Sequence, residues 1–179
     1  MTIDKLIDDV IAREGGFSDH PADRGGATRW GITEQVARGA GFSGAMRDLP
    51  RSEAVAIYRR LYWQAPGFDR VATRAPQLAE ELFDTGVNLG ISAAGAFLQR
   101  ALNALNRGAS DYADVAVDGA IGAQTLASLD RFLARRPTGG ERVLIKAIES
   151  LQGERYVAIT ERRPANEAFL YGWLANRIG

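Results

Sequence analysis

Seven stretches of this chain repeat their apolar residues at intervals of three and four, the period that puts them on one face of a helix. Ile3, Leu6, Ile7, Val10 and Ile11, with Asp4, Lys5, Asp8 and Asp9 between them, predict a surface helix over about 3–14. The spacing predicts further helices over about 51–63, 77–88 and 92–105, then 122–135, 140–162 and 166–177. In the fourth of these, Ala94, Phe97, Leu98, Ala101, Leu102 and Leu105 form a strongly apolar face that belongs in the core. Thr33 opens one more short helix reaching Ala40. The expected fold is all-α, mainly helical, and only one short region reads as extended.

That region follows the first helix. Residues Glu14-Gly15-Gly16-Phe17-Ser18-Asp19-His20-Pro21-Ala22-Asp23-Arg24-Gly25-Gly26-Ala27-Thr28 begin with a carboxyl group and run into a Gly-rich loop. Gly15 and Gly16 stop the helix, because glycine readily takes the left-handed conformation of a helix end. Continuing the series Ile3, Ile7, Ile11 places Glu14 beside the buried stripe, where a carboxyl group keeps its proton nearer neutral pH. A charged residue closing a helix is also commonplace, so the pattern alone leaves both readings open. Ala27 to Thr33 suits one strand of a small hairpin after an Arg24-Gly25-Gly26 turn. Trp30 serves equally as a stacking platform for a sugar ring or as a core residue.

Two more acids and a histidine lie in the loop. Asp19, in Asp-His-Pro, suits a turn that it stabilises by a local backbone hydrogen bond, and it is also a candidate second carboxylate. His20 is the single histidine of a chain without cysteine, which argues against a metal site, and no cofactor is expected. The glycines lack the Lys-Ser/Thr ending of a phosphate-cradling loop. Further on, Asp84 and Asn88 lie four apart and share a helix face. They either contact substrate or form a buried polar network. Asp118-Gly119-Ala120-Ile121-Gly122 reads as a tight turn, with Thr125 in the first turn of the next helix.

Composition narrows the function. The 179 residues carry 22 basic and 22 acidic side chains, with no basic footprint for nucleic acid. Acidic residues interrupt the N-terminal region where a signal peptide needs an apolar run, and no segment reaches transmembrane length without charge. Synthesis in the cytoplasm without membrane insertion is therefore expected. No Pro/Gly/Ser-rich linker divides the chain, and Pro137-Thr138-Gly139-Gly140 is short enough to be a helix connection. One body with two lobes lining a cleft is expected, assembled from segments 1–90 and 91–179.

The run from Glu14 to Thr33 resembles the signature of the bacterial and phage N-acetylmuramidases of glycoside hydrolase family 108. Further matches follow in order at Ile57–Trp63, Phe83–Asn88, Leu98–Leu102, Val117–Thr125 and Gly172–Arg177, so the resemblance spans nearly the whole chain. It implies a lysozyme-like helical fold with a small β-hairpin near the active site. The implied reaction is hydrolysis of the β-1,4 bond between N-acetylmuramic acid and N-acetylglucosamine, with Glu14 as the catalytic acid. Phage lysozymes follow their acid with an Asp and a Thr on a hairpin, which by analogy fall on Asp23 and Thr28. Eight residues separate Glu14 from Asp23 as in those enzymes, while the gap from Asp23 to Thr28 is one residue shorter. Asp23 thereby leads Asp19 as the second catalytic group, with Thr28 positioning water.

The resemblance also puts Asn88 at the cleft and likens Asp118 to Thr125 to an element of peptidoglycan-binding modules. Segment 1–90 is then the muramidase part and 91–179 the wall-binding part. The expected partner is the peptidoglycan glycan strand, met by a monomer that reaches the wall through a holin-like pore, lysis or a dedicated export route, as a phage or prophage endolysin does. The competing expectations are a lytic transglycosylase or chitinase-like glycosidase on a similar scaffold, and a wall-binding protein without catalysis.

Overall fold

The computed structural model describes residues 2–19 and 26–179, with Glu14 described by its backbone alone. The chain is mainly α-helical, with nine α-helices and one three-stranded sheet among the described residues. It divides into two compact units, Met1–Ala65 and Pro66–Gly179.

In the first unit, helix α1 (Ile3–Glu14) starts at Thr2, whose hydroxyl accepts the Lys5 N–H at 3.4 Å. Ile7, Val10 and Ile11 are buried, as the periodicity requires. Ala54, Ile57 and Tyr58 of α3 (Arg51–Tyr58) are buried as well, and Asp8 to Arg51 and Asp4 to Arg59 link the two helices at the surface. Exposed pairs of this kind contribute at most about 1 kcal/mol each, so burial of the apolar stripe dominates. The helix predicted over 51–63 is continuous, but Arg59–Gln64 winds as a wider π-helical turn.

The sheet is antiparallel, in the order β1 (Phe17–Ser18), β2 (Thr28–Arg29), β3 (Ile32–Thr33). Residues 27–33, expected as a single strand, instead fold back on themselves, pairing Thr28 with Thr33 and Arg29 with Ile32. The two loop residues, Trp30 and Gly31, have φ of 56° and 76°. That combination gives a hairpin turn matching the strand twist, normally made by Asn-Gly. A tryptophan there costs about 1–2 kcal/mol of backbone strain. Its indole Nε1–H donates to Leu49 O at 3.0 Å and its carbonyl accepts from the Tyr58 hydroxyl at 3.2 Å, which holds the turn. Thr33 then caps α2 (Glu34–Gly39) by accepting the Val36 N–H at 3.4 Å.

The second unit consists of α4 (Phe68–Ala72), α5 (Pro76–Leu89), α6 (Ile91–Ala104), α7 (Ala123–Arg135), α8 (Gly140–Arg162) and α9 (Glu167–Arg177). Pro76 at the first position of α5 presets its backbone. Helices α5, α6 and α8 pack on one another, burying Leu78, Leu82, Phe83, Leu98, Leu102, Leu144 and Ile148.

Between α6 and α7 the chain runs from Leu105 to Gly122 without a regular element. Amide side chains from α6 and its end satisfy this segment's backbone. Asn103 exchanges two hydrogen bonds with the Val115 backbone, at 2.8 and 2.9 Å. Asn106 does the same with Tyr112, at 2.6 and 3.1 Å. Buried Gln99 accepts the Gly119 N–H at 2.8 Å and donates to Asp118 Oδ1 and Ala120 O at 2.8 and 3.0 Å. Close approach needs glycine on both sides: a Cβ on Gly95 would lie 2.1 Å from Gly119 O, and one on Gly119 2.5 Å from Ser92 O.

Candidate active site

Glu14 is the last residue of α1, three residues after buried Ile11, and Gly15 follows at φ 76°. A Cβ on Gly15 or Gly16 would meet open space, so the positive φ of Gly15, and not crowding, favours glycine there. The glycines therefore turn the chain sharply into β1. The side chain of Glu14, together with His20 and Asp23, lies outside the described residues. Asp19 is exposed just beyond β1.

Thr28 is half-buried in β2 and pairs across the sheet with Ser18 on one side and Thr33 on the other. Directly paired residues share a sheet face, so three hydroxyl side chains form a row there. Phe17, Arg29 and Ile32 occupy the opposite face by the same rule. Trp30 is half-buried, its indole N–H is committed to Leu49, and the Arg29 guanidinium sits 5.0 Å from its ring centroid.

Two residues absent from the sequence reading stand out here. Phe17 is 42% exposed, with Arg47 5.9 Å from its ring centroid. Its signal in the sequence was an aromatic side chain straight after the glycine stop. Arg29 has a buried Nε with no hydrogen-bond partner among the described residues. No sequence pattern marks that atom, because its burial is a tertiary property.

Asp84 and Asn88 lie on α5 in the second unit. Asn88 Nδ2 donates to Asp84 O at 2.7 Å and to Asp84 Oδ2 at 3.0 Å, and Arg177 of α9 pairs with Asp84 Oδ2 at 3.4 Å. Asn88, Leu89, Tyr156, Ile159, Trp173 and Arg177 line a cavity of about 150 Å³ there. One turn earlier on α5, burial pushes the Glu81 carboxyl up to about 7, with help from the charges of Glu149 and Asp84 and against a hydrogen bond from Thr85. The Thr85 hydroxyl lies 3.3 Å from Glu81 Oε1 and 3.4 Å from Gln152 Oε1, but has one proton to give. A protonated Glu81 supplies the second.

Asp118, Gly119 and Thr125 form a satisfied network around Gln99, whose amide holds the Asp118 carboxyl below its usual range, assisted by the Ala120 N–H.

Residues 7–90 match the family model described as Glycosyl hydrolase 108. Residues 7–90 are a domain of this glycosidase family. Residues 93–178 match a second model, described as Predicted Peptidoglycan domain. The glycosidase match runs past the first compact unit, taking in α4 and α5 of the second. A solved structure titled "Structure of Brucella abortus SagA" is 25% identical, with a TM-score of 0.67 over 98% of this chain and 88% of that one. No curated protein matches. The glycosidase is a peptidoglycan-degrading enzyme that engages glycan strands. Among the described residues no helix is long and apolar enough to cross a membrane.

Proposed function

We propose that this glycosidase cleaves the β-1,4 bond between N-acetylmuramic acid and N-acetylglucosamine, with Glu14 as general acid. The observation that carries the reading is the position of Glu14: the terminal residue of α1, three residues after buried Ile11 and followed by a glycine at positive φ. A glycosidic oxygen is a poor leaving group, and a carboxyl group beside apolar side chains retains the proton that the oxygen needs. Positive charge grows at the sugar C1 as that bond breaks. Asp23 orients or deprotonates the incoming water, or stabilises the cation, while Thr28 positions the water. The balance is one water per bond: its proton replaces the one Glu14 gave, and its hydroxyl ends on C1.

Trp30 and Phe17 supply apolar surface for sugar rings. Asp19, Asp84 and Asn88 rank behind them as substrate contacts, the last two because they are already bonded to each other and to Arg177. Residues 1–90 carry the catalysis and 91–179 the wall binding. The enzyme acts as a monomer, is made in the cytoplasm and reaches peptidoglycan through a holin-like pore, lysis or a dedicated export route.

Digestion of purified peptidoglycan, borohydride reduction and mass spectrometry test the bond and the reaction together. Reduced N-acetylmuramic acid ends are expected. Ends carrying 1,6-anhydromuramic acid would reassign the enzyme as a lytic transglycosylase, and reduced N-acetylglucosamine ends would move the cleaved bond.

A further inference from the structure

The second unit contains a cavity of about 510 Å³ lined by Arg74, Arg136, Arg142, Gln77, Thr138 and Glu141, among others. Two of the guanidiniums are fixed in place. Arg74 Nε donates to Asp130 Oδ1 at 2.7 Å and its Nη1 to Arg70 O at 2.8 Å, while Nη2 makes no hydrogen bond among the described residues. Arg136 Nη2 donates to Leu105 O at 3.0 Å, both its Nη atoms lie 3.4 Å from Asp111 Oδ2, and its guanidinium sits 4.6 Å from the Phe132 ring centroid. Arg142, in the first turn of α8, has no hydrogen bond or ion pair among the described residues.

Two glycines shape the wall of this cavity. Gly139 turns the chain at φ 81°, and a Cβ there would meet nothing nearer than Arg142 Nη2 at 4.0 Å. Gly140 does the reverse, since its Cβ would lie 2.9 Å from Arg136 Cβ, so glycine lets the start of α8 close on the end of α7. No side chain caps α8. Glu141 is the one carboxylate in the lining, and its Oε1 already accepts the Leu78 N–H at 3.0 Å.

Unused N–H donors select the ligand. Arg74 and Arg136 are paired with Asp130 and Asp111, leaving the Arg142 charge without a partner. Glu141 offsets that charge overall but makes no contact with a guanidinium, so Arg142 and Arg74 Nη2 keep spare N–H donors, and planar guanidiniums with spare donors suit a carboxylate. Peptidoglycan carries such groups at regular intervals, on the short peptides attached to its glycan strands.

We propose that this cavity holds a free carboxylate of those peptides, so that the second unit reads the peptide part of the polymer. The proposal rests on the peptidoglycan reading above for its choice of ligand. It is tested with the full chain, ¹⁵N-labelled, titrated with the soluble tripeptide L-alanyl-γ-D-glutamyl-meso-diaminopimelate. Saturating amide shifts over Thr138 to Arg142 are expected. Amidation of the tripeptide carboxylates and the substitution Arg142→Ala are each expected to weaken binding about tenfold, the loss of one charge-assisted contact. Arg142→Lys should recover part of it, and Arg142→Ala should melt at the wild-type temperature because no described bond is lost.

Absence of saturating shifts at 138–142, equal affinity for the amidated tripeptide, or tighter binding of inorganic phosphate would each overturn the proposal. The glycosidase reading is judged separately by its digestion products. Cleavage without tripeptide binding removes this site alone, and tripeptide binding without cleavage keeps it.

Discussion

At Glu81 the free-energy cost of burying charge exceeds what its surroundings return. Its neighbours Glu149 and Asp84 are acids, and Thr85 supplies one hydroxyl shared with Gln152. The folded state therefore holds this proton more tightly than the unfolded chain, for which the ordinary value is 4.5. Stability contributed by the protonated form is complete below that value and falls as pH rises to about 7, above which the full cost remains. Glu81→Gln should abolish this slope and stabilise the protein at pH 8 by on the order of 2 kcal/mol, a figure reduced for the group's residual contact with solvent. Thermal melts of both proteins between pH 4 and 9 check it, and parallel curves would contradict it. Nothing around Glu81 in the sequence announces this, because Glu149 and Gln152 come from another helix.

Helix α6 has two kinds of contact, and only one is written in its periodicity. Its apolar face is legible because a 3.6-residue repeat is local, and the helices over 3–14, 92–105 and 140–162 fall within a residue of their expected bounds for the same reason. Its amide contacts with residues 112–120 are tertiary. Gln99→Leu should cost about 1–2 kcal/mol, since it removes the acceptor of the part-buried Gly119 N–H and the amide donor to Asp118. Gly95→Ala should cost about 3 kcal/mol by driving a methyl group into Gly119 O. Urea denaturation measures both, and a loss under about 0.5 kcal/mol in either would show that the 105–122 segment can shift freely. The hairpin turn was illegible for a similar reason. Trp-Gly is no turn signature, and what holds it comes from Leu49 and Tyr58, 19 and 28 residues along the chain. Five-residue α4 is too short to show a period.

On the scale of the whole molecule, family match and packing divide the chain at different places. The glycosidase match ends at residue 90, whereas α5 packs on α6 and α8 within the second compact unit. A fragment ending at residue 90 would expose Leu78, Leu82 and Phe83, and is expected to lose cooperative melting and bind a hydrophobic dye. A cooperative melt of that fragment would contradict this. The place of Glu14 at the end of α1 was legible because the helix period and its glycine stop are both local, while Phe17, Arg29 and the arginine-lined cavity depend on burial and on residues far apart in sequence. The central claim is that Glu14 supplies the proton, and the direct measurement is the rate of reducing-end release from purified peptidoglycan by wild type and Glu14→Gln, with melts of both. At least a hundredfold loss is expected in the variant, with an unchanged melting temperature. Release at the wild-type rate by a folded Glu14→Gln would contradict it.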